Sequence, residues 1–345
     1  MSDLGHAGRP PARLTFACEL GRHRLAELLA DGSVIEHLRA LHASVALMLS
    51  DLSVERADAV RQLNAARVPV VAVPLVPAED GYYFTAENAP RAAARYDEWK
   101  QWTRDHGLVW DGLGLDIEPD VRIYQQIAES PWRVVPILLR RLGDRERPRR
   151  ASEAYNELVE RMWADGWSVE NYQLPPMADE RRAGSTLLQR LFGLVDVRAD
   201  REVWMLYSSF FGELGPGLLW SYGPEAPAIA VGSTGGGPDI PGTPQVPKLN
   251  WDELARDLSF GRHWSDDILI HSLEGCVEQG FLARLRSFTW PEPTPPASAW
   301  QARTLRIALR GVLRVSAHPG RLGLALFVSW LLRWSRRRHL GGRLH

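Results

Sequence analysis

Eight short apolar runs recur along this chain, each followed by a polar or helical segment, and that rhythm limits the folds open to it. The runs are RLTFACEL (13–20), HASVALMLS (42–50), VPVVAVPLV (68–76), LGLDIE (113–118), GWSVENYQL (166–174), REVWMLYSS (201–209), APAIAVGST (226–234) and DILIHSLEG (267–275). Most are rich in β-branched or aromatic residues and bounded by Gly, Pro, Asp or Asn, which is how strands read. Helical patterns separate them. Thr85 is placed to cap the helix before the fourth run, and Ser152 and Gly166 to start and stop the one before the fifth. Such alternation implies parallel strands covered by helices. Eight units in about 290 residues fit a (β/α)8 TIM barrel, whose usual size is about 250 residues. An open doubly wound sheet is the alternative, weakened because no G-x-G-x-x-G follows the first run.

The organisation expected is a disordered segment over 1–12, the barrel over 13–290, and a Pro-marked linker with basic amphipathic helices over 291–345. Hydrophobic content of 45% and charged content of 24% suit a soluble globular chain. Cys18 and Cys276 are too few for a disulfide framework or a zinc cluster, so a reducing, cytoplasmic compartment is expected. The N-terminal residues show no apolar core of a secretory signal.

The fourth run carries the chemistry. In DGLGLDIEPD (111–120), Leu113, Leu115 and Ile117 share one strand face, and Gly112, Gly114, Asp116 and Glu118 share the other. The apolar face suits the layer between strands and helices, so Asp116 and Glu118 are expected to point into the barrel. Pro119 ends the ladder after Glu118 and places it at the C-terminal mouth, where barrel active sites are built. Two carboxylates so close cannot both ionise freely; one keeps its proton and can act as an acid. Glu118, the outermost, is the candidate proton donor and Asp116 its partner, the division of labour in glycosidic cleavage. The bland alternative is a structural ion pair.

DGLGLDIE resembles the strand-four signature D-G-x-D-x-D-x-E of the family 18 glycoside hydrolases, the chitinase-like barrels. Asp111, Gly112, Asp116 and Glu118 match, and Gly114 stands where the family has its middle acid. The resemblance implies that Glu118 is the acid and that Asp116 positions an N-acetyl group as nucleophile. MLYSS (205–209) is similar to the family's M-x-Y element, with Tyr207 the tyrosine and Ser208 in place of the usual Asp. Trp290 would stand for the sugar-stacking tryptophan of such barrels.

Other candidates carry both a functional and a plain reading. Glu19 ends the first run, either facing the site or making a salt bridge. Glu170 is the candidate nucleophile or base if Ser168, Glu170 and Tyr172 face inward; the opposite parity would turn Asn171 and Gln173 inward instead. Tyr172 and Tyr207 suit hydrogen bonds to sugar or ordinary core positions. Tyr82 and Tyr83 suit a sugar platform or loop packing. His271 reads more readily as a structural hydrogen bonder, and Glu274 as a residue beyond the strand. No metal or cofactor motif occurs.

The tail has a different character. Residues 301–345 hold ten Arg and no acidic residue, which leaves 31 basic against 42 acidic residues elsewhere, a net of −11. Arg303, Arg306, Arg310 and Arg314 form one helical stripe, and Leu305, Leu309 and Val312 another. Residues 322–332 lack charge but are shorter than the roughly twenty needed for a span. A basic amphipathic pair lying on an anionic membrane surface, on the inner face, is the expectation; packing on the barrel or on a second subunit is the alternative. Nucleic acid is not expected as a partner of an acidic body. The reading reached is a glycosidase acting on a carbohydrate or glycolipid without a cofactor. Its alternatives are a non-catalytic glycan- or partner-binding barrel docked by its tail, or another barrel enzyme such as a lyase or phosphodiesterase. Oligomeric state is left open.

Overall fold

A computed structural model describes residues 11–120, 135–237 and 247–318, together with 122, 123, 125, 126, 130 and 132. Most of the segment expected to be disordered at the N-terminus, the central part of the Gly/Pro loop after run seven, and the second tail segment lie outside the described residues.

The eight runs each supply a strand: β1 Arg13–Cys18, β2 Ser44–Leu49, β3 Val70–Pro74, β4 Gly112–Asp116, β5 Val169–Gln173, β6 Arg201–Met205, β7 Ala228–Gly232 and β8 Asp267–His271. Every neighbouring pair is parallel, and β8 returns to β1 with Arg13 beside Asp267 and Ala17 beside His271. The sheet is therefore closed, which excludes the open doubly wound arrangement. The eighth run is shorter as a strand than its apolar pattern, because Ser272 caps a helix, Leu273–Glu278, by accepting from the Gly275 N–H at 3.1 Å.

Strand parity divides two cores. Leu113, Leu115 and Ile117 of the fourth run face outward, packed with helix residues such as Trp99 and Tyr155. Ala17, Val73, Tyr172, Val203, Ala230 and Leu269 fill the barrel interior. Much of the aromatic content serves the outer layer: Trp99, fully buried, lies 5.8 Å from Trp110 and 5.1 Å from Trp167. Truncating Trp99 to Ala would cost about 3–5 kcal/mol.

The Ala299–Ala317 helix packs across the barrel's outer helices Pro176–Ala183 and Gly215–Tyr222. Its arginine stripe does not face away as one surface. Arg306 is buried, donates from Nε to Asp179 Oδ2 at 3.0 Å and lies 3.8 Å over the Tyr222 ring. Arg310 Nε reaches Asp179 Oδ1 at 2.7 Å. Two arginines thus neutralise a fully buried aspartate, while Arg303 and Arg314 stay exposed. A buried carboxylate without such partners would be strongly unfavourable.

Candidate active site

The C-terminal ends of several strands bring titratable side chains to one mouth. Asp116 is the last residue of β4. A bridge between Phe84 and Ile117 carries the extended backbone one step further, and the Glu118 N–H donates to the Phe84 carbonyl at 3.0 Å. Glu19 follows β1, His271 ends β8, and Glu274 enters from the first turn of the capped helix after it.

These groups meet. His271 Nε2 lies 3.5 Å from Glu19 Oε2, and the Glu19 N–H donates to Glu274 Oε1 at 3.3 Å. The His271 ring is 5.5 Å from Tyr207, and Tyr207 is 5.3 Å from Phe210, which is 51% exposed. Tyr82 and Tyr83 pack edge-on at 4.9 Å and both are buried, so the pair lines the mouth rather than forming an exposed platform. Tyr82 takes a positive φ of 65°, which turns the loop after β3 back over the barrel. Arg56 fixes the strand ends beneath: fully buried, it donates to the carbonyls of Leu20 and Met48, each at 2.9 Å.

The electrostatics are those of a buried acidic cluster. Burial raises the Asp116 carboxyl well above the ordinary range, and the charges of Glu118 and Glu19 push it further. Burial raises Glu274 as well. For His271 burial opposes the charged form, but Glu19, Glu274 and Glu118 outweigh it and the imidazole is raised. Burial, with the charges of Glu19 and Asp116, raises the hydroxyls of Tyr82, Tyr83 and Tyr207, keeping them as neutral donors. Glu19 Oε1, Asp116 Oδ1, His271 Nδ1 and Glu274 Oε2 are buried with no protein partner. Buried polar atoms left in that state are positions for a polar ligand to satisfy. Among the described residues, no group of three His, Cys, Asp or Glu side chains is arranged to hold a metal ion.

Some residues singled out from the sequence lie elsewhere. Glu170 does point inward, but it is the second residue of β5 and sits at the opposite, N-terminal end. Arg201 Nε donates to its Oε2 at 2.9 Å, Arg201 Nη1 lies 3.1 Å from Asp267 Oδ1, and Arg13 Nη2 2.5 Å from Asp267 Oδ2. This chain of charges joins the first residues of β1, β6 and β8 as a barrel floor, so Glu170 is not within the mouth cluster. Tyr172 also faces inward, yet its hydroxyl donates down to Glu170 Oε1 at 2.6 Å. Trp290 follows two further helices and stacks edge-on against Phe288 at 5.1 Å in the outer layer, away from β8's end.

Glu274 and Phe210 were not selected as site residues from the sequence. A Ser-x-x-Gly cap could have revealed that Glu274 begins a helix and folds back. No local pattern marks Phe210, whose position depends on the Ser208–Leu214 turn.

No family model and no curated protein matches the sequence. Solved structures match in chain trace. The endo-beta1,6-glucanase BT3312 aligns at 10% identity and a TM-score of 0.42, over 76% of this chain and 66% of that one. This chain thus spans just under two thirds of the glucanase. D-psicose 3-epimerase from Clostridium cellulolyticum H10, solved with D-tagatose, aligns at 10% identity and a TM-score of 0.36, over 86% and 99%. The assignment of the barrel rests on the strand pairing itself.

Proposed function

We propose that this barrel cleaves glycosidic bonds, with Glu118 giving a proton to the leaving oxygen and Asp116 as its buried partner. The observation that carries the reading is the acidic cluster of Asp116, Glu118, Glu19 and Glu274 at the mouth, edged by Tyr82, Tyr207 and Phe210. As the C–O bond breaks, the leaving oxygen takes the Glu118 proton. Positive charge grows on the sugar carbon facing the remaining carboxylates, a distribution this negative cluster favours. Water then adds there and a proton returns to the carboxylate, so no cofactor is required. The finer resemblance to family 18 supports the role of Glu118 through DGLGLDIE; Gly114 departs from it.

The test is release of reducing ends from a glycan panel by the wild type and by Glu118→Gln, with binding followed by calorimetry. Wild-type turnover that drops by about 100-fold or more in the variant, with binding retained, is expected of a lost general acid. Equal turnover by the two proteins would remove the assignment. Binding by both with turnover by neither would favour the second reading, a glycan-binding barrel, for which Gly114 in place of an acid is the supporting observation.

A further inference from the structure

We propose that the outer face of the Ala299–Ala317 helix docks on an anionic lipid bilayer. A surface helix ordinarily turns its apolar stripe inward and its charges to water. This helix is inverted. Arg306 and Arg310 are held against Asp179 and Glu225, and Ala302 and Leu313 complete the inward side. Outward stand Trp300, Leu305, Ile307, Val312 and Val315, each 45–67% exposed, with the uncharged Thr304, Ala308 and Gly311 among them. The inversion follows from the acidic body: the buried Asp179 demands the arginines, and the apolar residues are left outside.

The sequence beyond continues the same apolar and basic character. Residues 322–332 contain no charged side chain, so they too have none to turn to water. Among the described residues no helix is long and apolar enough to cross a membrane, and the run itself is shorter than the roughly twenty residues a span needs. For the exposed helix face, a surface-lying mode is what remains. Basic residues bracket the apolar ones: Arg303 and Arg314 on the exposed helix, then Arg321, Arg333 and Arg336–Arg338. A second copy would bring the same arginines face to face, whereas an anionic bilayer offers an apolar medium and the countercharge together. The acidic remainder, residues 1–300 at a net of −11, would be repelled by that surface and so held away from it.

The experiment is flotation of the full chain with phosphatidylcholine vesicles, with and without phosphatidylglycerol. The variants are Ile307→Asp and Val315→Asp, and Val109→Asp serves as an exposed control elsewhere. Binding only to the anionic vesicles, weakened about tenfold by each helix variant and unchanged by the control, is the expected result. Because both positions are exposed, thermal midpoints should match the wild type, confirming folded variants. Equal flotation of variants and wild type, or equal binding to neutral vesicles, would overturn the proposal. So would a lipid-free dimer, seen by sedimentation, that the same substitutions dissociate.

Discussion

The Tyr172 ring occupies the space that any side chain on Gly114 would need. A Cβ at Gly114 would come 2.7 Å from Tyr172 Cε2 and 2.9 Å from Val73 Cγ2, closer than such atoms approach. Glycine at this place in the fourth run is thus a packing requirement, since a neighbouring strand has filled the position. Gly114→Asp should destabilise by about 1–3 kcal/mol from overpacking alone. Combined with Tyr172→Ala, its cost should shrink, because the clash has gone. Denaturant midpoints of the two single variants and the double measure this; strictly additive costs would refute the steric account.

Asp116 gives a pH dependence of definite sign. Burial first, then Glu118 and Glu19, raise its carboxyl in the folded state. The folded chain therefore holds this proton more tightly than the unfolded one, and stability falls as pH rises from about 3.9 through the higher folded value. Asp116→Asn should remove that slope, raise the thermal midpoint at neutral pH, and leave acid-pH stability near wild type. Turnover should fall at the same time, the usual exchange of stability for function. A variant less stable than wild type at neutral pH would contradict the argument.

The Glu19–His271 contact should be visible in the imidazole titration. Burial alone would lower His271, and the carboxylates reverse that. The stabilisation from this pair is fully present below about pH 6.5, the unfolded value, and fades as pH rises through the raised folded one. Glu19→Gln should move the His271 titration, followed by NMR of its ring protons, to lower pH. An unmoved titration would show that Glu19 is not the dominant partner.

Glu170→Gln should separate floor from mouth. Turnover should stay within about twofold of wild type, since Glu170 is held by Arg201 at the floor, below the level of Asp116. Stability should drop by about 1–3 kcal/mol as Arg201 loses a charged acceptor. Loss of turnover without loss of stability would return Glu170 to the candidate site.

Much of the barrel was readable from the chain because period and punctuation agree. Leu113, Leu115 and Ile117 announce a covered outer face, and Pro119 announces the end of pairing. Strand parity in the fifth run stayed open between Glu170 and Asn171, and height along the barrel axis is what periodicity cannot give: β5 begins one residue before Glu170, which puts that carboxylate at the floor. The stripe of Arg303, Arg306, Arg310 and Arg314 was legible as a stripe. Its inward anchoring was not, because Asp179 is more than a hundred residues away in sequence. Tyr82 and Tyr83 stayed open between platform and loop packing for a related reason: the positive φ at Tyr82 that tucks them inward has no signature without glycine.

The charge chain Glu170–Arg201–Asp267–Arg13, with Tyr172 standing on it, makes the barrel a cup instead of a pipe. Side chains fill the interior above that floor, so any ligand of the mouth carboxylates has the rim edged by Phe210 and Tyr82 as its one way in and out.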